Sequence, residues 1–91
     1  MARRRRTRRW RSVQGYTLRS PRGKVVYVGI TNNPRRRAVA HQKSGKYGHL
    51  EVETVGMPRG LARRWEAGRL AWHRRQNRGR NPRYNKTRSG S

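Results

Sequence analysis

Apolar and polar residues alternate in two short runs early in the chain. In Gln14–Arg19, Tyr16 and Leu18 share one face, and in Lys24–Thr31 so do Val25, Tyr27 and Gly29. A period of two is the signature of half-buried strands. Ser20-Pro21-Arg22-Gly23 between them suits a tight turn, because Pro21 fixes φ at the first corner and Gly23 relaxes the exit. With Ser20 facing Gly23, Arg19 faces Lys24, Leu18 faces Val25 and Tyr16 faces Tyr27. Two phenols then project from one sheet face, their Cβ atoms about 5 Å apart. Gly29, one pleat along, leaves room for something to approach the backbone.

The pattern then changes. Asn33 is a good N-cap and Pro34 suits the first helical position. Arg37 and His41, four apart, share a face of the helix they open, which fades by Ser44-Gly45. A loop with Lys46, Tyr47 and His49 leads to Leu50–Val55, where Leu50, Val52 and Thr54 alternate with Glu51 and Glu53, a third strand. Gly56-Met57-Pro58 turns the chain into a second helix over Arg59–Gln76. Its stripe is Leu61, Trp65 and Trp72 with Gly68 between, flanked by Ala62 and Leu70, and both tryptophans are expected in the core. Asn77–Asn81 is a Gly/Arg/Asn loop and Pro82–Lys86 a closing segment. The fold class expected is a small α/β (α+β) domain: a three-stranded antiparallel sheet flanked by two main helices.

Ninety-one residues allow one domain, and 30% hydrophobic content with no Phe means a thin core. Without cysteine, no disulfide or zinc ribbon staples it. The charge narrows function most. Twenty-six Lys and Arg against three Glu give +23, and without Met1–Arg11 and its seven arginines the charge is still +16. A basic body as well as a basic tail points to a polyanion, above all nucleic acid. The basic segments lack a wide apolar face for membrane binding, and no apolar run spans a bilayer. The opening arginines resemble the charged part of an export signal, but no apolar segment follows. Residues 1–13 are expected to form a disordered arm whose Arg3, Arg4, Arg5 and Arg6 meet phosphates without reading sequence. The domain is expected over 14–87, with 88–91 frayed.

Tyr16, then Tyr27-Val28-Gly29, then Arg37 and His41 at steps of ten and four, resembles the GIY-YIG nuclease superfamily. The likeness extends to Glu66 on the second helix and Asn85 near the C-terminus, covering residues 14 to 87. One departure is plain: the first motif reads Gln14-Gly15-Tyr16, so only its tyrosine is retained. The resemblance implies a metal-binding role for Glu66, one tyrosine that positions or deprotonates the attacking water, and an asparagine at Asn85 that helps orient the site. Which tyrosine acts is left open.

Each residue also has a plainer reading. Glu66 stands among Arg63, Arg64 and Arg69 and suits a helix ion pair worth a few tenths of a kcal/mol. As a hard oxygen ligand it suits one Mg²⁺ or Mn²⁺, the rest of the shell being water and phosphate oxygens. Three acids in all are too few for a two-metal centre. Glu51 and Glu53 point the same way and suit either a rival ion site or the solvent face of an edge strand. Arg37 is placed to steady charge growing on phosphate oxygens, and His41, with a reference pKa near 6.5, to relay a proton. Tyr16 and Tyr27 equally form a packing pair, and Asn85 equally a turn residue. Gly29, Arg35, Arg36 and Lys46 are candidates for substrate contact.

With the resemblance, these readings imply a metal-dependent endonuclease of low sequence specificity, with DNA favoured over RNA, of the phage, mobile-element or toxin type found among small members of that superfamily. The alternative is a non-catalytic basic DNA- or RNA-binding protein built on the same platform. A monomer in the cytoplasm, near the nucleoid or within a host cell, is expected, with an inhibitor or immunity protein if it is a toxin.

Overall fold

The computed structural model describes residues 12–46 and 48–86; the arm with Arg3–Arg6, Trp10, Tyr47 and the tail from Thr87 lie outside them. Strands β1 (Gln14–Arg19), β2 (Val25–Thr31) and β3 (His49–Val52) form an antiparallel sheet in the order β2-β1-β3. Helices α1 (Pro34–Lys43) and α2 (Arg59–Gln76) complete the α+β domain. No helix among the described residues is long and apolar enough to cross a membrane.

The hairpin differs from the expected register. Ser20 closes on Lys24 rather than Gly23: Ser20 N–H donates to Lys24 O at 2.8 Å, and Gly23 N–H donates to Ser20 O at 2.8 Å. Gly23 takes φ of 83°, which suits a glycine, so the turn gains one residue. A bulge between Leu18 and Arg19 adds another: Arg19 pairs with Val25 but Leu18 with Tyr27. Two one-residue shifts restore the parity that a single shift would have reversed. Tyr16 therefore lies opposite Gly29 and diagonal to Tyr27, still on the same face, with ring centroids 6.1 Å apart.

Strand β3 ends at Val52 instead of continuing to Val55. Thr54 leaves the ladder because its Oγ1 takes the Gly15 N–H at 2.9 Å, while Glu53 N–H still reaches Gly15 O. On the outer face Arg19 lies between Glu51 (3.2 Å) and Glu53 (3.4 Å), and Glu53 also accepts from Thr17 Oγ1 at 2.8 Å. Both acids are thus engaged by Arg19 of the central strand, which removes the rival ion site.

Helix α2 has the expected bounds but a different buried face: Ala62, Glu66, Leu70 and His73. Trp72 is 46% exposed, with the Arg69 guanidinium 4.8 Å from its ring centre, so it is not core. Trp65 is half-buried, its ring packed over Gly15, where any Cβ would collide with it. This contact accounts for glycine at the departed motif position. Small residues at Gly15 and Ala62 let helix and sheet approach, and that close approach sets the face instead of the bulky stripe.

The core is small: Tyr16, Leu18, Val26 and Tyr27, with Leu50 and Tyr84 packed against it. Val13, counted with the arm from its sequence, is fully buried and exchanges both backbone hydrogen bonds with Met57.

Candidate active site

The site is built where β1, β2, α1 and α2 meet. Tyr16 leaves the central strand and lies across Gly29, where a Cβ would stand 2.6 Å from its hydroxyl and 2.8 Å from Tyr27. The room above Gly29 is filled by the tyrosines themselves, not by an incoming ligand. Helix α1 starts as expected: Asn33 Oδ1 accepts from Arg36 N–H at 3.1 Å and Pro34 follows. His41 is its one buried residue, so this imidazole is what seats the helix on the sheet. His41 Nε2 lies 2.6 Å from the Tyr16 hydroxyl, and its ring meets Tyr27 edge-on at 4.7 Å between centroids.

Electrostatics set the protonation of this cluster. Burial, with the desolvation it brings, pushes the Tyr16 phenol well above its ordinary value; neighbouring Tyr27 and Glu66 add to the rise and Arg37 opposes it. Tyr27 is raised for the same first reason, then by Glu66, against Arg37. His41 is lowered to about 4, first by burial and then by Arg37 and Lys46. The Tyr16–His41 pair is therefore neutral at neutral pH, with one proton in the bond between them. Arg37, exposed one turn before His41, acts on all three rings.

Helix α1 ends in a turn with Gly45 at φ 85° and Lys46 N–H returning to His41 O at 2.9 Å. That turn carries Lys46 back to the site, with Nζ 6.0 Å from the Tyr27 ring centre. Arg35 and Arg36 point to solvent on the same helix.

Glu66 faces the sheet from α2 at 8% exposure. Among the described residues no hydrogen bond or ion pair engages its carboxylate, so the expected helix pair with Arg63 or Arg69 does not form. Burial raises its pKa above 4.5, and Arg63 opposes only in part. A buried carboxylate without a partner suits a hard cation. No group of three His, Cys, Asp or Glu exists among the described residues to enclose an ion. A metal here would rest on one protein carboxylate, with water and substrate oxygens completing its shell.

Residues 14–57 match the family model of the GIY-YIG catalytic domain. The chain belongs to the GIY-YIG nuclease superfamily. That span carries Tyr16, Tyr27, Gly29, Arg37 and His41, whereas Glu66 and Asn85 lie beyond it. No curated protein and no solved structure gives a significant match. A GIY-YIG domain is a nuclease domain that acts on nucleic acid.

Asn85 has a defined position in this GIY-YIG domain. Its Oδ1 accepts from Val28 N–H at 2.8 Å and its Nδ2 donates to Val28 O at 3.0 Å. With Tyr84 N–H on Val26 O at 2.8 Å, the C-terminal segment closes the edge of β2. Asn85 thus pins the strand that carries Tyr27 and Gly29. The Gly15–Trp65 contact was not legible beforehand; a glycine in a motif position with a tryptophan on the next helix was its only trace.

Proposed function

We propose that this protein is a metal-dependent endonuclease hydrolysing phosphodiester bonds, with DNA preferred over RNA and low sequence specificity. One observation carries the reading: a hydrogen-bonded Tyr16–His41 pair, flanked by Tyr27 and Arg37, stands beside a buried carboxylate that has no partner among the described residues.

The chemistry follows from the protonation states. An isolated phenolate at Tyr16 is costly because the ring is buried. A neutral imidazole 2.6 Å away gives the proton somewhere to go, so no free phenolate forms: as Tyr16 oxygen takes a proton from the attacking water, its own proton passes to His41 Nε2. Tyr27 orients the water, and Arg37 neutralises charge growing on the phosphate oxygens. A divalent ion at Glu66 supplies Lewis-acid polarisation of the phosphate when bound. The basic surface, +23 over the chain, holds the substrate through its backbone.

The test compares wild type, Glu66→Gln and Arg37→Ala on plasmid DNA and structured RNA, with Mg²⁺ and with a chelator. Magnesium-dependent cutting by wild type, lost in Glu66→Gln with binding retained, is expected. Binding by all three with cutting by none would overturn the reading and leave a non-catalytic binder.

A further inference from the structure

A second feature lies outside the tyrosine cluster. A cavity of about 670 Å³ opens between the β1–β2 turn, the C-terminal end of α2 and the segment after it. Lys24, Arg78, Arg80 and Arg83 line it beside His73, and the start of β2 at Val25 and Val26 borders it. Its volume falls within the range of small-ligand sites.

The charge of this cavity is uncompensated by any side chain. The chain has three acids. Glu51 and Glu53 are engaged by Arg19, and Glu66 faces the tyrosines. The negative end of the α2 dipole supplies only about half a charge against four cations. Four residues before His73, Arg69 keeps Nη1 buried with no hydrogen-bond partner among the described residues. Among the described residues no acidic side chain pairs with Lys24, Arg78, Arg80 or Arg83.

The backbone at the rim carries an independent sign. Helix α2 ends with Gly79 N–H on Arg74 O at 2.7 Å, and Arg78 takes φ of 58°. Glycine or asparagine suits that conformation, and an arginine there is strained. Arg78 is the only non-glycine residue with positive φ among the described residues. The side chain that costs the backbone most lines the cavity.

We propose that this cavity holds one unpaired nucleotide of the substrate strand, its phosphate against Arg78 and Arg80 and its ring against the start of β2 at Val25. The inference rests on the nuclease reading and extends it to the form of the substrate. Glu66 and His73 lie on the same buried face of α2, seven residues or about 10 Å apart along the axis. A strand cut beside Glu66 therefore reaches the cavity within a few nucleotides. A base paired in a duplex cannot enter a recess, whereas an unpaired one can, so single-stranded or frayed segments are the preferred substrate.

The test is fluorescence anisotropy in a chelator, with a fluorescein-labelled 12-nucleotide single strand and the matching duplex at fixed salt. Arg78→Gly/Arg80→Ala is compared with Arg59→Ala/Arg64→Ala, which removes the same charge from the opposite end of α2. The cavity variant is expected to lose about tenfold more single-strand affinity than the control, and no more duplex affinity than it. Arg78→Gly relieves the strained φ, so Tm should not fall below that of the control. Arg80→Ala alone should give the same order of affinities and serves if the double variant unfolds. Equal losses on the single strand would overturn the proposal. Wild-type cutting in Mg²⁺ with equal losses keeps the nuclease and removes the cavity's role; a selective loss without cutting does the reverse.

Discussion

Replacing Glu66 by glutamine should stabilise the metal-free protein while stopping its chemistry. The carboxylate is 8% exposed and engaged by no partner among the described residues, and Arg63 does not outweigh its desolvation. An unsatisfied buried polar group costs about 1–3 kcal/mol and a charged one more, and glutamine escapes the excess due to charge, of similar order. Part of the group still meets solvent, so the lower end, about 1 kcal/mol, applies. In a domain of this size that raises Tm by about 4–8 °C. The sign depends on pH. Because the folded pKa is raised above 4.5, the native state keeps this proton to higher pH than the unfolded chain. Wild-type stability from this group is intact below 4.5 and lost as pH rises through the folded value. The glutamine variant should therefore match wild type near pH 4 and exceed it at pH 7.5. Thermal melts of both proteins in a chelator without nucleic acid measure this directly. Titration of His41 affects both proteins alike and cancels in the difference. A lower Tm for Glu66→Gln at pH 7.5, or a difference independent of pH, would refute the claim that Glu66 is a buried charge without a partner.

Two further outcomes follow from the tyrosine cluster. Gly29→Ala places a Cβ 2.6 Å from the Tyr16 hydroxyl, so the ring must move and its bond to His41 must lengthen; a loss of about 2 kcal/mol in urea melts and at least tenfold in cutting rate is expected. His41, lowered from 6.5 to about 4, contributes stability that is full above pH 6.5 and lost as pH falls through 4. That gap corresponds to about 3 kcal/mol, so Tm should drop between pH 7 and pH 4 in wild type and much less in His41→Gln.

The amino-acid sequence determined what depends on neighbours along the chain. Asn33-Pro34 caps α1 because its amide acceptor and fixed φ act within one turn. The bounds of α2 and the existence of three strands follow from period and breakers. The spacing of Tyr16, Tyr27, Arg37 and His41 identified the family, since strand and helix geometry convert fixed steps into a common face. Tertiary structure decided what depends on approach between elements. The Gly23 turn and the bulge beside Leu18 moved Tyr16 from Tyr27 to Gly29, yet kept the phenols together because two shifts preserve the parity of a strand. The buried face of α2 turned on whether Trp65 could settle over Gly15, and no hydrophobic count along one helix records the space on its partner. Whether Glu66 would pair with a neighbouring arginine or stand alone was equally beyond the sequence. Ion pairs depend on side-chain directions, and burial against the sheet turned this carboxylate toward the tyrosines, out of ion-pair distance of its neighbouring arginines.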